Sequence, residues 1–454
     1  MASKPTHTAY VHPVEDDFEV DSEEELIPVP LLQPPPDNYR LVYFIFLLQG
    51  AAMLLPWNVF ITASEYFHLK FQGSAYANNF QNYFSICFMT SNLGFLTWAL
   101  VTQKEANFPR RIVSSLITNV LIFAVCIYLV VNPHITPDAS FYLVMALLVC
   151  SGATTSYLQN AVFGLVSDFA PIYMQAVMSG QGFVGTSVAA TQIISAIAAK
   201  NSNNSGNTDD ALQYRVYMYF ICSLLVAVIS LGSYYMLERQ PLYEFYIAQK
   251  SALEDSDRDH PRLNPVNFRQ SISQTFHSIR SLVLAIILIF LVTLGLFPSI
   301  TSKIRSINSQ GLFKELFIEF HFLVFNIGDW IGRSLPGNEH FVFSDERKLL
   351  LSSAARILFI PIFLSSNLMF NGVRYLPLVV ADDLIYMILL LLFAISNGYL
   401  SSLIMMAGPQ KVAKSQKELA GTILTLMLTL GLALGSALSF PLVAIACHCN
   451  PFDV

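Results

Sequence analysis

The feature that most constrains this chain is a succession of eleven long apolar runs. They lie at about 41–64, 80–102, 110–132, 140–167, 173–199, 212–237, 281–304, 312–334, 349–370, 381–408 and 419–446. A helix that crosses a bilayer core needs about 20 mostly apolar residues. In hydrocarbon every backbone N–H and C=O must be satisfied inside the protein, which a helix does for itself. The expected fold is therefore an all-α integral membrane protein with eleven transmembrane helices and the lipid bilayer as its surroundings. Composition agrees: 54% of the 454 residues are hydrophobic and 12% charged, against roughly 25% charged in soluble domains. No basic stripe marks a nucleic-acid surface.

Polar segments divide the chain. Residues 1–40 form a Pro-rich tail with nine acidic residues against two basic, so the formal net charge of -6 belongs to this tail. The run that begins at Leu41 is too long for the apolar core of a signal peptide and reads as a retained anchor. Segment 238–280 is the longest internal loop, with six basic and six acidic residues. It separates a bundle of six helices (41–237) from one of five (281–446), and 447–454 make a short tail. With the amino terminus in the cytoplasm, 17 of the 25 Lys and Arg fall in the tail, the 103–111, 333–348 and 409–418 turns and the 238–280 loop. That is the positive-inside bias. The 447–454 tail is then extracytoplasmic, and so is 200–211, where Asn203-Asn204-Ser205 is a glycosylation sequon. The six cysteines show neither a disulfide framework nor zinc spacing. Cys447-His448-Cys449 is a weak metal motif, and no metal or other cofactor is expected.

Polar residues inside the runs are functional candidates, because burying them in lipid is costly. Asp329 and Arg333 stand four apart in the eighth run and share a helix face with Asn326. They suit either a structural ion pair or a polar wall that meets hydroxyl groups. Arg356, near the start of the ninth run, either snorkels to the interface or pairs with a gate residue. In the first run Pro56 leaves the Ala52 carbonyl without its usual donor. Trp57 offers a deep π face, and Asn58 either satisfies local groups or meets a ligand. Gln159, deep in the fourth run, can bond another helix or read the edge of a base. Ser179, Gly180, Gly182, Gly185 and Ser187 in the fifth run and Gly431 and Gly435 in the last are packing surfaces. Eleven spans do not fit a seven-helix receptor. No paired aspartates or His cluster within the spans suggest an enzyme, and no filter-like loop suggests a channel.

Short motifs appear in order along these runs. They are Leu54-Leu55-Pro56-Trp57-Asn58, Leu158-Gln159 with Phe163-Gly164-Leu165, and Met178-Ser179-Gly180-Gln181-Gly182. Leu296-Phe297-Pro298, Asn326, Asp329-Trp330 and Gly332-Arg333-Ser334 follow, then Ser396-Asn397-Gly398-Tyr399-Leu400, Gly408-Pro409 and Gly431-Leu432-Ala433-Leu434-Gly435. Together they resemble the equilibrative nucleoside transporter family. The resemblance implies a major-facilitator-like 6+5 arrangement, a central cavity, alternating access and passive uniport of nucleosides such as adenosine and uridine. It implies that Trp57 packs against the base, that Asn58 and Gln159 bond its edge, and that Asp329 and Arg333 take the ribose hydroxyls. Met89 and Leu432 then line the site, and Ile61, Phe297, Pro298, Phe322, Asn326 and Arg356 line the cavity and its gates. Asn92 departs from the leucine frequent in the family. The plasma membrane is the expected location. The alternative is a proton-coupled nucleoside or nucleobase carrier of endolysosomal membranes, to which Glu23-Glu24-Glu25-Leu26-Ile27, resembling a di-leucine sorting signal, would point.

Overall fold

The computed structural model describes residues 33–74, 76, 80–132, 135–201, 208–259, 268–307, 312–370 and 372–449. The chain divides into Met1–Pro34 and Pro35–Val454, and the helices below belong to the second unit. The Glu23–Ile27 motif and the Asn203 sequon lie outside the described residues.

Each half of the bundle is built of helices whose starts are written in the sequence. The first half contains α1 (Leu41–Thr62), α2 (Phe80–Val101), α3 (Phe108–Val131), α4 (Pro137–Ser167), α5 (Pro171–Asn201) and α6 (Thr208–Leu237). Prolines open α4 and α5, where their missing N–H is no loss. The Asn107 side chain accepts from Arg110 N at the start of α3, and Asp37 accepts from Val42 N and Tyr43 N at the start of α1. After α7 (Pro241–Asp259) and α8 (Phe268–Ser278) comes the second half. It consists of α9 (Arg280–Leu296), α10 (Phe317–Ser334), α11 (Glu346–Ala355), α12 (Phe359–Leu364), α13 (Asp383–Ala407) and α14 (Lys417–Cys447).

Among the described residues, eight helices are long and apolar enough to cross a membrane. Three expected runs do not reach that measure. α10 is diluted by Glu319, His321, Asp329 and Arg333, and the last turns of α5 include residues whose side chains lie outside the described set. The 349–370 run is interrupted by a 3-10 turn at Arg356–Leu358 and leaves helical geometry after Leu364. The seventh run also stops short, at Leu296, because Pro298 cannot continue a helix.

The core has three apolar clusters. At the end of the bundle that holds Val42, Ile112, Val166, Leu282, Ala407 and Leu419, one cluster draws on both halves. Toward the opposite end the core splits into a cluster of the first half around Phe60, Phe67, Phe84 and Phe220 and one of the second half around Phe317, Phe363 and Phe393. The two halves are thus joined at one end and separately packed at the other. Small residues permit the close helix pairs. A Cβ on Gly180 would overlap the Leu47 carbonyl of α1, and one on Gly398 the Asp329 carbonyl of α10. A Cβ on Gly435 of α14 would meet the Phe290 carbonyl of α9 at 2.7 Å. The packing role read for these stripes is what the helices use.

The 238–280 segment is not an unstructured loop but holds α7 and α8. Its composition is polar, yet Leu242, Tyr243, Tyr246 and Ile247 recur at helical spacing and bury that face, with the Tyr246 ring 4.5 Å from that of Phe169. Cys447 and Cys449, which the sequence offered only as a weak metal motif and not as a disulfide, form a disulfide. Cys447 closes α14, and the left-handed backbone of His448 turns Cys449 back, leaving the Cα atoms 5.1 Å apart. The two sulfurs therefore bind each other. Among the described residues no group of His, Cys, Asp and Glu is arranged to hold a metal.

Candidate functional site

The strongest polar constellation is centred on α10. Asp329 and Arg333 are buried and share a helix face, as their spacing dictates. Arg333 Nε donates to Asp329 Oδ2 at 2.7 Å. The other carboxylate oxygen accepts from Asn397 Nδ2 of α13 at 2.6 Å. Arg333 Nη1 donates to Gln181 Oε1 of α5 at 3.0 Å, and Gln175 Nε2 donates to the Arg333 carbonyl at 3.0 Å. The pair therefore sits at the seam between the halves, with Asn397 behind it and α5 in front. Ser179 and Ser334 hydroxyls, 2.9 Å apart, and Thr186 bonded to the Asn326 carbonyl continue the seam along α5 and α10.

Gln181 also connects this pair to α1. Its amide lies 3.5 Å from the Met53 sulfur, and Met53 is four residues before Trp57, about 6 Å along the helix. Trp57 is half-buried and stacked on Phe88 of α2, with centroids 4.6 Å apart and planes at 28°. Asn58 Nδ2 donates to the Leu54 carbonyl in the preceding turn. One of its donors is thus spent locally, and the Ala52 carbonyl freed by Pro56 is not its target. Met89 lies half-buried beside the same aromatic cluster, and Leu432 half-buried on α14 against the shared cluster. Gln159 on α4 is buried, and its Oε1 has no hydrogen-bond partner among the described residues. Among the described residues no hydrogen bond links Trp57, Asn58 or Gln159 to the Asp329–Arg333 pair.

The second-half aromatics form their own stack. Phe297 lies 3.7 Å from Phe325 and 5.3 Å from His321, ring to ring, and Phe322 meets its edge at 5.3 Å. Pro298 and Ile61 are exposed, Ile61 by 43%. Asn326 Nδ2 bonds the Phe322 carbonyl. Asn92 is buried and donates to the Gly152 carbonyl at 3.5 Å, while its own carbonyl accepts from Ser156, so it joins α2 to α4.

Arg356 is not a snorkelling side chain. It is 2% exposed, inside the second half, because the 3-10 turn that interrupts the ninth run aims it inward. Its guanidinium lies over the Phe393 ring at 4.5 Å and donates to the Phe393 carbonyl, Ser396 and Thr293.

A second polar cluster closes the joined end. Arg111 Nη1 donates to Asn160 Oδ1 at 2.6 Å. Asn160 also reaches Thr422 of α14, and Gln103 bonds Glu418. Lys250 of α7 contacts Glu418 and lies 3.7 Å from Asp168. Burial raises the Asp168 carboxyl to about 6, with Lys250 opposing the rise and Glu418 adding to it. Sequence reasoning did not pick out this cluster, nor Gln181, Asn397 and Thr293 as partners. The only sequence signal was amides and charges at the ends of apolar runs.

Two halves of apolar helices, fused at one end and separate at the other with charge buried at their seam, are the build of a membrane carrier. The fold is shared with a major facilitator superfamily transporter, FucP in its outward conformation, at 14% identity over 91% of this chain and 93% of that one, TM-score 0.58. The family model of nucleoside transporters matches residues 145–444. Rat equilibrative nucleoside transporter 1 is 32% identical over 90% of this chain and 98% of its own length. Human equilibrative nucleoside transporter 2 is 29% identical over 89% and 97%. The chain belongs to the nucleoside transporter family, which is a family of carriers and not of enzymes.

Proposed function

We propose that this protein is a facilitative nucleoside carrier, a passive uniporter working by alternating access, in which the base stacks at Trp57 and the ribose hydroxyls meet Asp329 and Arg333. The observation that carries the reading is the buried Asp329–Arg333 pair at the seam, tied through Gln181 and Met53 to the helix of Trp57. A carboxylate accepts and a guanidinium donates, so the pair offers both halves of the pattern a sugar diol requires. Gln159, whose buried oxygen bonds no protein group among the described residues, suits a base edge, and Asn58, Met89 and Leu432 complete the site. Ile61, Phe297, Pro298, Phe322 and Asn326 line the way in from the separated end. Eleven spans in a 6+5 arrangement, an inward amino terminus, a plasma-membrane location and a glycan on Asn203 belong to the same proposal.

The test is uptake of labelled adenosine and uridine by transporter-deficient cells expressing the protein, at neutral and acidic external pH. Saturable uptake of both, accelerated by nucleoside on the far side and indifferent to pH, is the expected result. Uptake that requires acid and loses its pH dependence in Asp329→Asn would replace uniport by proton coupling. Non-saturable flux would make the protein a channel.

A further inference from the structure

The second half holds a run of hydrogen bonds that ends on the Asp329 carboxylate and begins on a charge the site itself does not use. Arg356 Nη2 lies 2.8 Å from Thr293 Oγ1. Thr293 Oγ1 lies 2.7 Å from Asn397 Oδ1, and Asn397 Nδ2 lies 2.6 Å from Asp329 Oδ1. The four residues come from the turn after α11, from α9, α13 and α10. Arg356, Thr293 and Asn397 are each 2–3% exposed, so water does not compete for these bonds.

We infer that Arg356, Thr293 and Asn397 are positioning residues for sugar recognition, a one-way relay that fixes the direction in which Asp329 presents its carboxylate. The inference rests on the reading that Asp329 meets the ribose. Its logic is donor and acceptor count. A guanidinium only donates, so Arg356 occupies a lone pair of Thr293 and leaves that hydroxyl its single hydrogen to give. Two acceptors stand within reach of that hydrogen, the Ile289 carbonyl and Asn397 Oδ1, both at 2.7 Å. With its oxygen turned to Thr293, the Asn397 amide turns its NH2 to Asp329, which as a carboxylate only accepts. The reverse amide orientation would set oxygen against oxygen at 2.6 Å. Each bond polarises the next in the same sense.

The relay matters because the ion pair alone does not orient Asp329. Arg333 holds Oδ2 only, and the terminal torsion of an aspartate is broad. Asn397 pins the second oxygen, so the remaining lone pairs have a fixed direction. Arg356 is in turn held by the Phe393 carbonyl at 2.9 Å, by Ser396 and by the face of Phe393, and this anchors the start of the relay.

The experiment compares saturable uptake of adenosine, 2′-deoxyadenosine and 3′-deoxyadenosine, with surface abundance measured in parallel. Thr293→Val keeps the shape of the side chain and removes the hydroxyl. It should lower the preference for adenosine over the deoxynucleosides by about two- to tenfold, the worth of one such bond. Thr293→Ser should restore the preference. Asp329→Asn serves as the control for the underlying reading, because it should abolish the preference outright. Retention of the full preference by Asp329→Asn would overturn the ribose role of the carboxylate. Loss there together with an unchanged preference in Thr293→Val, even at reduced maximal rate, would overturn the relay alone and leave Thr293 a structural residue. Should Thr293→Val fail to reach the surface, Arg356→Lys makes the same demand, since one ammonium cannot reproduce the fork that holds both the Phe393 carbonyl and Thr293. A full preference in Arg356→Lys would likewise overturn the relay.

Discussion

Moving the charge of Asp329 by one hydrogen bond separates sugar recognition from simple charge balance. The perturbation is the double substitution Asp329→Asn with Asn397→Asp. These side chains already face each other at 2.6 Å, so the exchange transfers the carboxylate from α10 to α13 and changes almost no volume. Every contact keeps one donor and one acceptor, although the bond between 329 and 397 reverses direction. Thr293 still donates to residue 397, the amide now at 329 donates to the new carboxylate, and its oxygen accepts from Arg333 Nε in place of Oδ2. The single changes differ sharply. Asp329→Asn leaves the buried Arg333 guanidinium without its counter-ion, which costs about 3–5 kcal/mol. Asn397→Asp sets two carboxylates against each other in the same dry site. The double change should recover most of either loss, with a coupling of about 2–3 kcal/mol, read as recovery of surface delivery and of the thermal midpoint in detergent. The preference for adenosine over deoxyadenosine should not recover, because the acceptor no longer stands where the ribose expects it. Adenosine uptake with wild-type affinity by the double variant would refute the assignment of Asp329 to the sugar. A simple exchange of Asp329 with Arg333 is less informative. Asn397 offers donors to position 329 and Gln181 an acceptor to position 333, so that exchange fails on structural grounds under either reading.

Trp57→Ala should raise the apparent substrate constant several-fold to about tenfold, since an aromatic contact is worth roughly 0.5–1.5 kcal/mol beyond area; Trp57→Phe, which keeps the stack on Phe88, should do less harm, and saturation uptake at matched surface abundance measures both. Gly398→Ala should abolish folded protein at the surface, because its Cβ would overlap the Asp329 carbonyl, whereas Gly232→Ala, whose Cβ meets nothing within 4 Å, should be neutral. The joined end should respond to pH through Asp168, whose carboxyl burial raises to about 6 against an ordinary 3.8, with Lys250, Lys417 and Glu418 around it. The closed arrangement holds that proton more tightly than an opened, hydrated one, so falling pH between 7 and about 4 should favour closure, the gain being complete below the ordinary value and lost as pH rises through 6. Labelling of a cysteine introduced at Ser167, divided by its rate in the denatured protein at the same pH to remove the thiolate's own pH dependence, should slow with acidification in the wild type but not in Asp168→Asn, and a ratio that rises would reverse the sign.

The fold was legible to the extent that hydropathy and helix-start chemistry determine it. Each apolar run contains a helix, and Asn107, Thr136 and Asp382 cap helices as their residue types suggest. The Asp329–Arg333 pair was legible because it is local: residues four apart on a helix meet whatever surrounds them. Their partners were not, although Gln181 and Asn397 stood in quoted motifs. A bond between helices depends on rotation about each axis and on relative depth, and neither is encoded in the period of one run. Arg356 was misplaced for a related reason. Its charge near the start of an apolar run suggests an interface, but the turn at Arg356–Leu358 redirects the side chain into the bundle. α7 is the opposite case, since the spacing of Leu242, Tyr243, Tyr246 and Ile247 carried the helix within a composition that reads as loop.

The placement of polar bonds about the seam has a mechanical consequence for the proposed cycle. Asp329, Arg333, Asn397, Thr293 and Arg356 all belong to the second half, so their bonds are internal to it and survive any movement of one half against the other. The bond from Arg333 to Gln181 crosses the seam. It joins a charged donor to a neutral acceptor, a class worth about 1.5–3 kcal/mol. A charge–charge contact across the seam would hold the halves more firmly, because breaking it strands two buried ions. Here the charges of the pair neutralise each other within one half, and what binds the pair across the seam is amides alone, Gln181 on the guanidinium and Gln175 on the Arg333 carbonyl. A ribose hydroxyl that takes the place of the Gln181 oxygen on Arg333 would keep that guanidinium satisfied while the halves part. Substrate would then lower the cost of the step it is carried by, which is the condition for a carrier to exchange faster when loaded than when empty.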